Sequence, residues 1–141
     1  IPNIVSIKDS SGDLTLTAEY IRLTQGREDF SVLMGRDTLI YGALLYGATG
    51  SIASCANVAP RLCADIYEKY IAGDLEGSLK AQFALAPLRI AFSIGTFPAV
   101  IKESLILLGI EAGPCMDPAG AMIHSEREQL SKVLIEMGLL K

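Results

Sequence analysis

The fold is decided by a short stretch near the start of the chain, residues 4–13, which read IVSIKDSSGD. An apolar, β-branched run is followed by Lys8 and by a polar turn that contains glycine, which predicts a strand and then a loop. Asp13 is the predicted N-cap of a helix over 14–24, which Gly26 closes. The stretch therefore predicts one strand–loop–helix unit of an α/β protein.

The same kind of unit recurs twice in the next sixty residues. The predicted elements are a strand over 30–34, a turn over 35–37, a helix over 38–46, a strand over 49–54, a loop over 56–60 and a helix over 61–72. Short apolar strands that alternate with helices predict a parallel sheet that is covered on both faces.

The pattern changes after Gly73, where strand-like runs end. Helices are predicted over 74–94, 98–108 and 125–137, the last with Ser125 as N-cap and Glu128 as its capping-box partner, and a connector over 109–123. The chain is thus divided into residues 1–73, with three βα units, and residues 74–141, a C-terminal helical region. An eight-stranded barrel needs about 250 residues. We therefore expect either an open three-stranded domain or the rear part of a larger barrel, and a first residue that is not Met favours the larger barrel.

Composition narrows the class of protein. Half of the 141 residues are hydrophobic and the net charge is −4, which argues against disorder and against a broad basic face for nucleic acid. Charged residues, Gly or Pro interrupt every apolar run before it reaches membrane-spanning length. Three Cys without a CxxC motif and a single His argue against structural zinc and a disulfide framework. We therefore expect a cytoplasmic protein without structural zinc or disulfides.

Lys8 is the first candidate catalytic residue. It follows an apolar strand, where α/β folds place catalytic groups. A lysine that faces a barrel interior loses part of its hydration, which favours the neutral amine, and a neutral amine attacks a carbonyl to form a Schiff base. The alternative is a solvated lysine that pairs with Asp9 or Asp13.

The loops after the next two strands hold the other candidates. Loops that follow neighbouring parallel strands meet at one mouth, and glycine lets backbone amides approach a small anionic ligand there. Gly35 lies in the first loop and Gly50 in the second, and Asp37 and Ser54 are placed to bind substrate hydroxyls. The alternatives are a helix N-cap for Asp37 and a tight turn for Gly50.

His124 and Cys55 are weaker candidates. A histidine beside a capping box is more often a surface residue than a catalytic base. Cys55 has no histidine near it in the sequence, so a small buried apolar residue is expected there instead of a nucleophile.

These segments together resemble one family. The matching stretches are residues 4–13, Gly35-Arg36-Asp37, residues 47–52 (GATGSI), residues 56–60 (ANVAP), residues 107–110 (LLGI) and Gly113-Pro114. In this combination and spacing they are similar to the dihydrodipicolinate synthase / N-acetylneuraminate lyase family. The resemblance covers essentially the whole chain.

The resemblance implies a (β/α)8 TIM barrel followed by a small helical region, with this chain supplying strands 6 to 8 and the C-terminal helices. It implies metal-free chemistry that needs no cofactor, in which Lys8 forms a Schiff base with pyruvate or another 2-oxo acid. It places Gly35 and Asp37 in the loop after the seventh strand and directs the backbone carbonyl of Ile52 at the lysine. Ser54 matches a position where sugar-acid lyases of the family place a substrate-binding hydroxyl.

The resemblance also implies what lies elsewhere and what the substrates are. The family's proton-relaying Tyr and its carboxylate-binding Thr or Ser residues belong to earlier strands. The expected function is a lyase or synthase that joins pyruvate to an aldehyde, as dihydrodipicolinate synthases do in lysine biosynthesis. The alternatives are a 2-keto-3-deoxy sugar acid aldolase, an N-acetylneuraminate lyase, and, outside catalysis, an inactive half-barrel fragment or a binding module. The expected protein partner is a second copy of the chain or a complementary front half of the barrel.

Overall fold

The computed structural model describes residues 3–141, which form three strands and six α-helices within that range. The elements are β1 (Ser6–Asp9), α1 (Leu14–Leu23), β2 (Ser31–Met34), α2 (Ile40–Tyr46), β3 (Gly50–Ser51), α3 (Pro60–Ile71), α4 (Leu75–Ala91), α5 (Ala99–Leu107) and α6 (His124–Glu136). Short 3-10 helices span Asp37–Leu39 and Ser54–Asn57. The predicted order of three βα units followed by helices is confirmed.

The three strands form one parallel sheet in the order β1-β2-β3. Lys8 is paired with Leu33 across β1 and β2, and Met34 is paired with Ser51 across β2 and β3. Because all three strands run in the same direction, the loops that follow them lie at one edge of the sheet. This edge is where the sequence places its candidate residues.

Two strands differ from the sequence prediction. β1 has the predicted four residues but lies two positions later, at Ser6–Asp9, so it includes Lys8, and the side chains of Ile4 and Val5 before it are exposed. β3 contains only Gly50 and Ser51, because the chain turns into a 3-10 helix at Ser54. The amide of Ile52 still donates a hydrogen bond of 2.9 Å to the carbonyl of Met34, so pairing extends slightly past the strand.

Most helix ends follow the predicted signals. The Asp13 carboxylate accepts a hydrogen bond of 2.9 Å from the Thr15 amide at the start of α1, which confirms the N-cap. α2 ends at Gly47, whose φ of 109° lies in the left-handed region that favours glycine.

The predicted N-cap of α6, Ser125, is wrong by two residues. The N-cap is Ile123, and its backbone amide donates a hydrogen bond of 2.9 Å to the carboxylate of Glu126. Ser125 lies inside the first turn, so it cannot cap the helix. Glu128 instead lies 3.2 Å from the imidazole of His124, one helical turn away.

The core connects the βα units to the C-terminal helices. Fully buried side chains include Met34 and Ile40 from the first part and Leu85, Leu88 and Leu130 from the second. Burial of each such side chain contributes about 1.5–3 kcal/mol, which fixes α4 against the loops of the sheet. No helix within residues 3–141 is both long and apolar enough to cross a bilayer.

Candidate functional site

A cleft of about 260 Å³ opens at the carboxyl-terminal edge of the sheet. Its lining residues are Lys8, Ser10, Gly35, Arg36, Asp37, Ser54, Arg89 and Phe97. Four of the six site residues that the sequence predicts therefore lie in one place, and the other two, Gly50 and Ile52, do not line the cleft. Ile52 has an exposed side chain and follows β3 directly.

Lys8 and Gly35 are in close contact across β1 and β2. A Cβ atom on Gly35 would lie 2.7 Å from Lys8 Cε, 2.2 Å from Ser10 Oγ and 2.9 Å from the carbonyl oxygen of Asp9. The Gly35 amide donates a hydrogen bond of 2.6 Å to that carbonyl. Glycine is therefore required here so that the loop after β2 can approach the lysine.

The proposed pairing of Lys8 with a neighbouring carboxylate is wrong. Asp9 Oδ2 accepts a hydrogen bond of 2.6 Å from the Thr17 hydroxyl, and Asp9 Oδ1 accepts one of 2.9 Å from the Ser11 amide. Asp13 caps α1. No ion pair of Lys8 is present within the part of the chain that the structure describes.

Asp9 instead fixes the backbone that carries Lys8. Burial raises the pKa of this carboxyl, but the hydrogen bonds from Thr17 and Ser11 outweigh it, so the pKa lies below its ordinary value. The ionised carboxylate thus holds the loop after β1 to α1. Lys8 itself is exposed, so the described residues do not supply the apolar surroundings that the sequence analysis expects around it.

Asp37 connects three segments at the floor of the cleft. Its side chain is 3% exposed, Oδ1 accepts a hydrogen bond of 2.6 Å from the Cys55 amide, and Oδ2 lies 3.3 Å from Arg89 Nε. Its backbone carbonyl accepts a hydrogen bond of 2.9 Å from the Gln82 side chain. The alternative role as a helix N-cap is wrong, because Arg36 occupies the N-cap position and the carboxylate reaches residues distant in the chain.

Four lining residues have no role predicted from the sequence. Arg89 comes from α4, and the only sequence signal is a single cation in an otherwise apolar helical run, residues 84–92. Phe97 follows the same helix. Ser10 and Arg36 belong to the stretches 4–13 and Gly35-Arg36-Asp37, but the sequence assigns neither of them a function of its own.

The weaker candidates, Cys55 and His124, lie where the sequence analysis expects them, as a buried apolar residue and an exposed surface residue. Cys55 is fully buried, and burial together with the nearby Asp37 carboxylate raises the pKa of its thiol. Burial also raises the pKa of Cys63 to about 11, and the His124 side chain is 86% exposed. All three cysteines are free. Residues 3–141 contain no group of three His, Cys, Asp or Glu side chains that could hold a metal ion.

Comparison with known sequences identifies the family of the chain and the fraction of each relative's length that the chain covers. The model of the dihydrodipicolinate synthetase family matches residues 1–137. The chain is 40% identical over 137 residues to 4-hydroxy-tetrahydrodipicolinate synthase from Methanoculleus marisnigri, covering 97% of this chain and 47% of that protein. It is 36% identical over 139 residues to the enzyme of the same name from Rhizobium meliloti, covering 99% and 47%. The chain spans about half the length of the curated relatives it matches.

Solved structures agree in fold. The dihydrodipicolinate synthase from Thermotoga maritima superposes with a TM-score of 0.92 and 33% identity, over 99% of this chain and 48% of that one. YagE, a prophage protein of the dihydrodipicolinic acid synthase family from E. coli K12, solved in complex with pyruvate, gives a TM-score of 0.91 and 25% identity, over 98% and 47%. The α/β structure described above therefore corresponds to about half of each of these proteins.

Proposed function

Because the chain belongs to the dihydrodipicolinate synthetase family, we propose that it supplies the Schiff-base lysine of a lyase or synthase that acts on pyruvate. The proposed activity is that of 4-hydroxy-tetrahydrodipicolinate synthase, the name its curated relatives bear. The observation that carries this proposal is the position of Lys8, which lines the cleft at the end of β1 against Gly35. The E. coli K12 relative solved with pyruvate supports the substrate.

The proposed place of the chain in the whole protein is the rear of a (β/α)8 barrel. In this proposal β1, β2 and β3 are the sixth, seventh and eighth barrel strands, residues 1–73 form the last three βα units, and residues 74–141 form the C-terminal helical region. The parallel order of the strands and the extent of the match to the Thermotoga maritima protein support it.

The proposed chemistry uses the amine of Lys8 as a nucleophile. The neutral amine adds to the C2 carbonyl of pyruvate, and loss of water leaves an iminium ion. The positive nitrogen accepts the electron pair of a C3–H bond when the C3 proton is removed, which gives an enamine. The enamine carbon then forms a bond to the carbonyl carbon of an aldehyde, whose oxygen takes up a proton. No metal or redox partner takes part in this sequence.

The other residues of the site support this chemistry in different ways. Gly35 leaves the space that Lys8 needs, and the Ser54 hydroxyl is proposed to bind a substrate hydroxyl. Asp37 is proposed to do the same, although both of its oxygens already have partners in the protein. For Ile52 we retain the proposal that its backbone carbonyl faces the lysine in the complete barrel.

Ser54 also favours a second candidate activity. A serine hydroxyl in the lining suits a hydroxylated substrate, as a 2-keto-3-deoxy sugar acid aldolase or an N-acetylneuraminate lyase would require. Comparing condensation of pyruvate with a polyhydroxylated aldehyde and with an aldehyde that lacks hydroxyls distinguishes these activities from the synthase.

The proposed protein partner is a second copy of the chain or a complementary front half of the barrel. β1 and β3 are the edges of the sheet, and exposed Ile4, Val5 and Ile52 lie next to them. Unpaired edges flanked by apolar side chains favour association.

Borohydride trapping with pyruvate tests the proposed nucleophile. We expect the reduced adduct on the peptide that contains Lys8, its loss in Lys8→Arg, and unchanged labelling in Lys80→Arg, a matched change at an exposed lysine of α4. Labelling of several lysines at similar rates would contradict a specific nucleophile. An absence of any adduct would support the inactive fragment or the binding module instead.

A further inference from the structure

The charges that line the cleft are unbalanced. Among its eight lining residues, Lys8, Arg36 and Arg89 are cationic, and Asp37 is the one anionic side chain. Asp37 and Arg89 form an ion pair with each other. Once that pair is set aside, the cleft retains Lys8, which the proposed function uses as the nucleophile, and Arg36.

Among the residues that the structure describes, Arg36 has no partner that would neutralise its charge. Within residues 3–141, no hydrogen bond or ion pair of its guanidinium is present, although every other arginine of the chain forms an ion pair with a carboxylate. Arg36 is also half-buried. A partly buried guanidinium without a partner in the protein is a favourable site for an anion.

The position of Arg36 is defined by its neighbours. Its amide lies 3.2 Å from the sulfur of Met34, which fixes the start of the side chain. Its guanidinium crosses the loop after β1, where a Cβ on Gly12 would lie 3.6 Å from Arg36 Nε. That distance is an ordinary van der Waals contact, and glycine is favoured at this position by its φ of 81°. The guanidinium therefore lies between the loops that follow β1 and β2, at the rim of the cleft that contains Lys8.

We propose that Arg36 is a specificity-determining residue that binds a second carboxylate, at the far end of a 2-oxo acid whose C2 carbonyl Lys8 attacks. This inference rests on the proposed function, and it specifies that the site takes, besides pyruvate, a longer 2-oxo acid with a carboxylate at its far end in preference to one that ends in a methyl group. The planar guanidinium donates two parallel N–H bonds to a carboxylate, a geometry that an ammonium group does not offer. Asp37, already bonded to Arg89 and Cys55, does not compete for Arg36.

The test compares two ligands of equal length. 2-Oxoglutarate and 2-oxopentanoate both have five carbons and a 2-oxo acid group, and they differ in a carboxylate or a methyl group at the far end. Isothermal titration calorimetry measures their dissociation constants without requiring turnover. We expect the unmodified protein to bind 2-oxoglutarate about ten- to hundredfold more tightly, the range of a charged hydrogen-bonded contact.

Variants then assign that preference to Arg36. Arg36→Ala is expected to bind the two ligands equally, and Arg36→Lys to retain part of the preference. Arg22→Ala, a change of an arginine on the exposed face of α1, is expected to leave the preference unchanged. Equal binding by the unmodified protein, binding of neither ligand, or a preference that survives in Arg36→Ala would each overturn the proposal.

Trapping at Lys8 separates this inference from the proposed function. An Arg36-dependent preference without a pyruvate adduct on Lys8 would sustain the carboxylate site and refute the Schiff-base mechanism. An adduct on Lys8 without the preference would refute the role of Arg36 alone.

Discussion

Lys8 and its neighbours show how a single residue type determines the geometry of the site. At the cleft the Gly35 amide lies 2.6 Å from the Asp9 carbonyl oxygen, and any side chain at Gly35 would overlap Lys8 and Ser10. Asp9, on the opposite side of the strand from Lys8, holds the loop after β1 to Thr17 of α1. The backbone that carries Lys8 is therefore held by Asp9, and the side chain of Lys8 occupies the space that the missing side chain of Gly35 leaves open.

The role of Asp9 predicts a specific dependence of stability on pH. Its folded-state pKa is lowered, so the stabilisation is fully present above the ordinary value of 3.8 and is lost as the pH falls through the lower folded-state value. We expect Asp9→Asn to reduce the free energy of unfolding by about 1–2 kcal/mol at pH 7. The difference in the free energy of unfolding between Asp9→Asn and the unmodified protein should become smaller below pH 3.8.

Urea denaturation at pH 7 and pH 3 measures this difference. Asp117→Asn, in the exposed connector, is the matched control and should change the free energy of unfolding by less than about 0.5 kcal/mol at either pH. A difference for Asp9→Asn that is equal at both pH values would show that the carboxylate charge does not contribute.

Sequence motifs identified the residues of the site that follow strands, because strand ends carry a local signal. Lys8, Gly35, Asp37 and Ser54 were found in this way, and the structure brings them to one cleft. Arg89 could not be found, because its place in the cleft depends on how α4 packs against the loops, which no local pattern encodes. The environment of Lys8 differs from the sequence prediction, because the side chain is exposed and the described residues supply no apolar surroundings for it.

At the scale of elements, α4 is attached to the loops of the sheet by polar contacts as well as by its apolar face. Gln82 accepts a hydrogen bond from the Tyr41 amide and donates one to the Asp37 carbonyl, each of 2.9 Å. Two turns further along, Arg89 reaches the Asp37 carboxylate. The helical region thereby fixes the floor of the cleft, although its sequence pattern alone indicates only helix.

This attachment predicts coupling between Arg89 and Asp37. Arg89→Met keeps the apolar stem but leaves the Asp37 carboxylate buried without its cation, and we expect a loss of about 1–3 kcal/mol in the free energy of unfolding. The double variant Arg89→Met, Asp37→Asn should lose less than the sum of the single variants, because the unpaired charge is gone.

Urea denaturation of the four proteins in this cycle gives the coupling energy directly. Arg22→Met breaks the exposed ion pair with Glu19 and serves as the control, with an expected change below about 1 kcal/mol. Strictly additive losses for Arg89 and Asp37 would contradict a direct interaction between them.

On the scale of the whole molecule, the chain exposes apolar surface beyond the sheet edges. Phe83 and Ile90 of α4 are 67% and 66% exposed and lie two helical turns apart on the same side of the helix, while Leu85 and Leu88 on its other side are fully buried. α4 is therefore apolar on two sides, and only one of them packs against the rest of the described residues. An apolar helix face of this kind is typical of a surface that another protein covers.

We therefore expect the isolated chain to associate in solution. Sedimentation equilibrium at micromolar concentration should give a mass above the 15.0 kDa of one chain. Phe83→Asp with Ile90→Asp should shift the mass toward that of one chain, because each charge would have to be buried in the interface. Ile71→Asp, at a similarly exposed apolar residue of α3, is the matched control and should leave the mass unchanged. A mass of one chain for the unmodified protein would contradict the expected association, and an equal effect of Ile71→Asp would place the interface elsewhere than on α4.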